Sequence, residues 1–259
     1  MTRNILETET RAHYQEYPFD FLTEKDERNI ESLQTKSFLE FVREYISDDS
    51  KVAEIGCGAG RATMYLNKRV NDLFALDLTS KSIELAAGRA PQSKFIQASN
   101  LYLPLQDQVF DIVVSDGVIH HTPDPYKSFS ENVRILKIGG MFYLSVYRRH
   151  RYYYYLYTYL GRPIRWAEKT TWGKFLIHVT LMPIYYVVHL FKSHGKRSWR
   201  GTKNLFYDYV ITPQATFHTR EEIIEWGKKN NLQLIKYDEN VGNTHVFVFR
   251  KDQSSSFLN

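Results

Sequence analysis

The sequence predicts an α/β fold: a seven-stranded, mostly parallel sheet with helices on both faces, plus a helical cap rich in aromatic and basic residues. Three observations predict it. Short apolar runs alternate with helix-like segments from about residue 50 to 147, joined by short connections. A glycine-rich turn, Gly56-Cys57-Gly58-Ala59-Gly60, stands between the first apolar run and the helix after it. From about 148 to 206 that rhythm stops, and it resumes afterwards.

The elements follow in order. Residues 24–46 read as one amphipathic helix, with Ile30, Leu33, Phe41 and Tyr45 near one face, ended by Asp48-Asp49-Ser50. Val52–Ile55 is the first strand and Leu73–Leu76 the second, followed by a helix from Ser80 to Arg89. Phe95-Ile96 marks a third strand and Phe110–Val114 a fourth. Asp124-Pro125 opens a helix to about Leu136, since Pro suits the first helical position and Asp can cap it. Gly139-Gly140 then turns the chain into a fifth strand, Met141–Leu144. After the cap, Thr219-Arg220-Glu221-Glu222 is a capping box for a helix through Trp226. Leu232–Ile235 and His245–Phe249 form an edge hairpin. The organisation is therefore 1–147 (N-terminal helix or flap and core), 148–206 (cap) and 207–259 (closing helix and hairpin).

Composition is that of a soluble globular protein, 43% hydrophobic and 24% charged. One cysteine, Cys57, excludes an internal disulfide, and the first thirty residues hold no apolar signal core. Both point to the cytoplasm. The net charge of +5 conceals an asymmetry: twelve Lys or Arg stand against one acid, Glu168, between Tyr147 and Phe206. The remainder holds 22 basic and 28 acidic residues, a net of −6. Such a cap suits an anionic partner, a membrane surface or a phosphate-bearing substrate, or is a solvated basic face with no partner. Within it, Phe175–Phe191 is a 17-residue apolar run between Lys174 and Lys192, interrupted by His178, Pro183 and His189. That favours a buried or membrane-surface helix pair over a spanning helix.

The glycine turn lets a ligand approach backbone without meeting a Cβ. Its spacing is G-x-G-x-G, with Arg61 where a pyrophosphate-binding loop would place its last glycine. Asp77 ends the second strand 17 residues after Gly60, where an acid can accept both ribose hydroxyls of an adenosyl group. The alternative for Asp77 is a cap for the helix at Ser80; for Glu54, simple pairing with a basic neighbour.

The segments VAEIGCGAGR, LDLTSKSIELA, FDIVVSDGVIHHTPDP and LKIGGMFYLSVY, in this order, resemble the class I S-adenosylmethionine (SAM)-dependent methyltransferases of the ubiquinone-methyltransferase-like group. The resemblance covers about residues 50–147. It implies a Rossmann-like domain, SAM as cofactor with S-adenosylhomocysteine as product, and SAM contacts at Glu54, Gly56, Cys57, Gly58, Gly60 and Asp77. Leu78 would pack on adenine. The family often places an acid after strand three; here Ser99 occupies that position, and either Ser99 or Asn100 can hydrogen-bond adenine. Asp116 and Gly117 line the space between SAM and acceptor. Tyr14, Tyr17, Pro18 and Phe19 resemble a flap that closes over SAM, and Tyr147 and Tyr207 join them around the acceptor.

His120 or His121, following strand four, could take a proton from the acceptor, as could His218; imidazole titrates near neutrality. The histidine pair could equally serve only to shape the pocket. Tyr207-Asp208-Tyr209 could reach it from the far side. No Cys, His and carboxylate cluster at metal spacing is present in the sequence, so transfer is expected to be direct and metal-independent. The expected acceptor is a small molecule or a lipid- or isoprenoid-like compound, the cap resting on a membrane. An RNA acceptor gripped by Arg148–Arg200, a non-catalytic SAM-binding scaffold and a NAD-dependent oxidoreductase are the alternatives.

Overall fold

The computed structural model describes residues 2–192, 198–239 and 242–253, with side chains from residue 5 onward. Seven strands form one sheet: β1 Lys51–Ile55, β2 Asp72–Asp77, β3 Lys94–Gln97, β4 Phe110–Asp116, β5 Leu136–Tyr147, β6 Leu232–Asp238 and β7 Thr244–Lys251. Their order is β3-β2-β1-β4-β5-β7-β6. The first five are parallel to one another, and β7 runs antiparallel between β5 and β6.

Alternation along the strands feeds two layers of core, because successive side chains point to opposite faces. In β5, Phe142, Leu144 and Val146 join Phe129 and Val133 of one helix and Ile223 of another. Met141 and Tyr143 face the opposite way, onto Phe38, Phe41 and Tyr65. Strand and helix sites agree with the pattern read from sequence at Ser80–Arg89 and at Pro125–Ile135. Asp124 caps the latter by accepting from Lys127 N.

Four features differ. The helix expected over 24–46 is broken: α2 covers Glu24–Arg28, a 3-10 turn Ile30–Leu33, and α3 Lys36–Tyr45. Thr35 caps α3 by accepting from Phe38 N, so a new helix begins where amphipathicity alone continues the old one. Before them lies α1, Thr2–Glu16, absent from the sequence reading as a defined element. Strand five starts at Leu136, with Gly139-Gly140 forming an irregularity inside it; a Cβ on Gly140 would sit 2.8 Å from Asp111 O. Thr219 does cap its helix, but the Glu222 carboxylate lies 3.1 Å from His218 Nδ1 instead of completing a capping box.

The remaining core helices are α4 Arg61–Leu66, α5 Ser80–Arg89 and α6 Pro125–Ile135. The cap is three helical runs: α7 (152–168), α8 (Thr171–Lys192) and α9 (199–211), the last continuing five residues beyond 206. Each contains a π-type turn, at Leu156–Leu160, Ile177–Leu181 and Tyr207–Ile211. Ile177 and Met182 of α8 bury against Phe206, Tyr207, Val210 and Ile211 of α9. The chain returns to the sheet through α10, Arg220–Lys229.

Candidate active site

At the carboxyl ends of β1, β2 and β4 a cavity of about 480 Å³ opens, roofed by α1 and by the π-turn of α9. Gly56, Gly58 and Gly60 all have positive φ, +77°, +53° and +89°. At Gly56 a Cβ would also meet Val118 at 2.4 Å, so the turn needs glycine there twice over. The amides of Gly56 and Cys57 donate to Leu76 O at 2.7 and 2.9 Å, pinning the loop to the end of β2.

Asp77 sits where that pinning places it. Its Oδ2 accepts from Gly58 N at 2.9 Å, and its Oδ1 from Thr79 N and Oγ1, both at 3.0 Å. Thr79, not Asp77, caps α5. Burial raises the Asp77 pKa, opposed by those donors. Glu54 is more isolated: 4% exposed, with Oε2 lacking a partner among the described residues. Burial pushes its pKa up to about 8, opposed by Thr63 and the Arg61 guanidinium and aided less by the Asp116 and Asp77 carboxylates. A buried carboxylate in that state favours a cation beside it.

Asn100 also lines the cavity, and both its Oδ1 and Nδ2 are buried without a partner among the described residues. Ser99, its neighbour, is engaged: its hydroxyl donates to Glu7 Oε2 of α1 at 2.8 Å. Thr10 of the same helix also lines the cavity, its buried hydroxyl without a partner among the described residues. Asp116 is held by Arg61, Nη2 to Oδ2 at 2.7 Å, while Arg61 Nη1 donates to Gln34 Oε1 at 2.8 Å. Leu78, Cys57 and Gly117 complete this side; burial pushes the Cys57 thiol up, leaving it a small filler. A ligand with an ammonium at one end and a ring edge that both donates and accepts would satisfy Glu54 and Asn100. SAM is such a molecule.

The opposite wall is a cluster of titratable groups. His121 Nδ1 lies 2.8 Å from Gln214 O; a carbonyl can only accept, so Nδ1 carries the proton and Nε2 is the basic nitrogen. Burial lowers its pKa, partly offset by Asp208. Tyr14 donates to Asp208 Oδ1 at 3.0 Å, and burial raises both pKa values. Tyr147 and Tyr209 border the same space.

Several residues singled out in the sequence are elsewhere. His120 is fully buried outside the cavity lining, stacked on Tyr147 at 3.7 Å, with Nδ1 accepting from Tyr147 N. His218 lies against Trp226 and 2.9 Å from Thr216 Oγ1, also outside it. Tyr17 and Tyr207 stack on each other at 3.8 Å and latch the N-terminal segment to α9, while Phe19 does line the cavity. Gly60 is not in the lining either; it lets α4 approach Ala86 of α5, whose Cα a Cβ would meet at 3.0 Å. Glu7, Thr10, Arg61, Asn243 of the β6–β7 loop and Thr244 at the start of β7 are cavity residues the sequence did not single out as a site. Only Arg61, first in its helix after the glycine turn, carried a positional signal.

Residues 53–144 match the model of a family described as a methyltransferase domain. Over 121 residues the chain is 34% identical to a probable tRNA methyltransferase 9B of Mus musculus, covering 44% of this chain and 26% of that one. Over 104 residues it is 29% identical to the ubiquinone/menaquinone biosynthesis C-methyltransferase UbiE of Campylobacter jejuni, covering 38% and 44%. The chain thus spans less than half the length of these two relatives. The fold is similar to that of a SAM-dependent methyltransferase from Methanosarcina mazei, with TM-score 0.54 and 18% identity over 82% of this chain and 97% of that one. It is also similar to the YcgJ protein of Bacillus subtilis, with TM-score 0.55 and 15% identity over 83% and 97%.

Proposed function

We propose that this chain, whose residues 53–144 match a methyltransferase-domain family, methylates a small, hydrophobic acceptor with SAM by direct transfer, releasing S-adenosylhomocysteine. One observation carries the reading: Glu54 and Asn100, whose buried Oε2 and amide have no partner among the described residues, line one cavity from opposite sides of Asp77 in the chain. Bound there, SAM supplies a methyl group on a cationic sulfur.

The protein's own groups then have distinct tasks. Glu54 pairs with the ammonium of the amino-acid end. Asp77, held by Gly58 and Thr79, keeps lone pairs for the two ribose hydroxyls. Asn100, with Glu7 presented through Ser99, binds the adenine edge. On the acceptor side, neutral His121 offers Nε2 to an acceptor proton, and Tyr14 and Asp208 set the polarity around it. The aromatic wall of Tyr147 and Tyr209 excludes water and suits an apolar acceptor.

A second reading, an RNA acceptor, draws support from the basic cap and from the similarity to a probable tRNA methyltransferase. Against it, the cap's exposed face is apolar and aromatic along α8. The test is SAM labelled in its methyl group, incubated with the protein and fractionated cell extract, with Asp77→Ala as control. Label entering the lipid or small-molecule fraction supports the proposal; label in RNA selects the second reading. Binding of SAM without any transfer would replace both with a scaffold.

A further inference from the structure

Helix α8 has two unlike faces. Ile177 and Met182 are buried on α9, Tyr185 meets the Phe206 ring edge-on at 5.2 Å, and His178 lies by Tyr207. The other face leaves Trp172, Phe175, Val179, Ile184, Val188 and Phe191 exposed, the first and last at 79% and 78%. Only 11% of its most apolar stretch, mean hydropathy 1.4, is buried. Across the turn at 169–170, α7 adds Leu160 at 61% and Trp166 at 74%. Soluble monomers rarely display a continuous apolar surface of this kind.

Charge says what covers it. Arg162, Lys169 and Lys192 are exposed along this hairpin, and the whole 147–206 segment carries twelve bases against one acid. The rest of the chain is net −6, so an anionic plane attracts this side and repels the others. We propose that the α7–α8 hairpin docks the protein on an anionic lipid bilayer, lying in the plane of the interface with its tryptophans and Phe191 at the acyl boundary and its bases on the headgroups. Although α8 is long enough to cross a membrane by length and composition, its inner face is fastened along α9. Crossing would strip Ile177 and Met182 from that core, whereas an in-plane helix keeps it.

The docking surface goes beyond the methyl-transfer reading and does not depend on it. It has a consequence for the cavity, since the π-turn that buries Tyr207 and Ile211 against α8 also carries Asp208 and Tyr209 into the cavity wall. Membrane contact and acceptor wall are therefore one helix apart.

The test is co-sedimentation of the full chain with vesicles of phosphatidylcholine alone or mixed with phosphatidylglycerol, beside size-exclusion chromatography. Binding is expected only to the mixed vesicles, to weaken with salt, and to be released by alkaline carbonate. Trp172→Glu with Phe191→Glu, at the two most exposed positions, should lower partitioning by more than about tenfold. Lys169→Glu with Lys192→Glu should lower it by roughly fivefold for each charge removed. Equal partitioning of wild type and Trp172→Glu/Phe191→Glu overturns the proposal. So does a wild-type dimer that ignores vesicles and that this variant makes monomeric, which assigns the face to a second copy. Retention of the wild type in carbonate-washed vesicles overturns the in-plane arrangement. SAM binding, measured on each variant, should be unchanged; its loss without loss of docking would bear on the cavity alone.

Discussion

The hydroxyl of Ser99 donates to Glu7 Oε2 at 2.8 Å, joining the loop after β3 to a helix 92 residues earlier in the chain. A carboxylate from α1 is thus held at the cavity by a serine of that loop. On the proposed reading, the N-terminal helix is then part of the nucleoside site and not only a cover for it.

Glu7→Gln should weaken binding of S-adenosylhomocysteine by roughly tenfold, the value of about 1.4 kcal/mol for one charge-assisted hydrogen bond. Ser99→Asp alone places two carboxylates together and should also weaken it. Ser99→Asp in the Glu7→Gln background restores one acid and should recover most of the affinity. Calorimetric titration of the three variants checks this; equal affinity throughout would remove Glu7 from the site.

Asp77→Ala removes the acceptor of Gly58 N and Thr79 as well as the ribose contacts. Affinity for SAM should fall on the order of a hundredfold, about 3 kcal/mol for two charged hydrogen bonds. The apoprotein should lose stability too, because the glycine loop is left with an unpaired amide. An unchanged affinity with a lowered melting temperature would confine Asp77 to a structural role.

Most of the scaffold was legible in the sequence. Strand and helix periods, the Asp124-Pro125 start and the glycine turn are local signals, and β1–β4 with α5 and α6 follow them closely. The break at Asn29–Gln34 was not: α2 is wholly charged and buries nothing, and the apolar Ile30 and Leu33 lie in the 3-10 turn that precedes the Thr35 cap of α3. The site divided the same way. Asp77 and Glu54 are set by the strands that carry them. The roles of the histidines depend on packing: His120 and His121 are adjacent, yet one stacks behind Tyr147 and the other faces the cavity. Glu7 depends on a partner 92 residues away, which no local pattern encodes.

Glu54 should make apoprotein stability depend on pH. Its folded pKa, about 8, exceeds the ordinary 4.5, so the folded state holds a proton that the unfolded state has lost. That contribution is fully present below about 4.5 and is lost as pH rises toward 8. A Glu54→Gln variant should show a flatter melting temperature over this window than wild type. Saturating SAM, whose ammonium pairs with the ionised form, should reduce the difference. Parallel profiles for variant and wild type would place no titrating carboxylate there.

His121→Asn should reduce the rate of methyl transfer into the accepting fraction by about a hundredfold or more, the usual contribution of a positioned base. Its pKa is lowered by burial, so the neutral, basic form persists to acid pH and the acid limb of the wild-type rate should lie below 6.5. Asp208 raises that pKa, and Asp208→Asn should therefore move the limb to still lower pH. His120→Asn is the control: it removes a ring stacked on Tyr147 and should lower the melting temperature while leaving the position of the limb unchanged. A limb that follows His120 and not His121 would reverse the two assignments. A rate insensitive to both would mean that acceptor positioning alone supplies the acceleration.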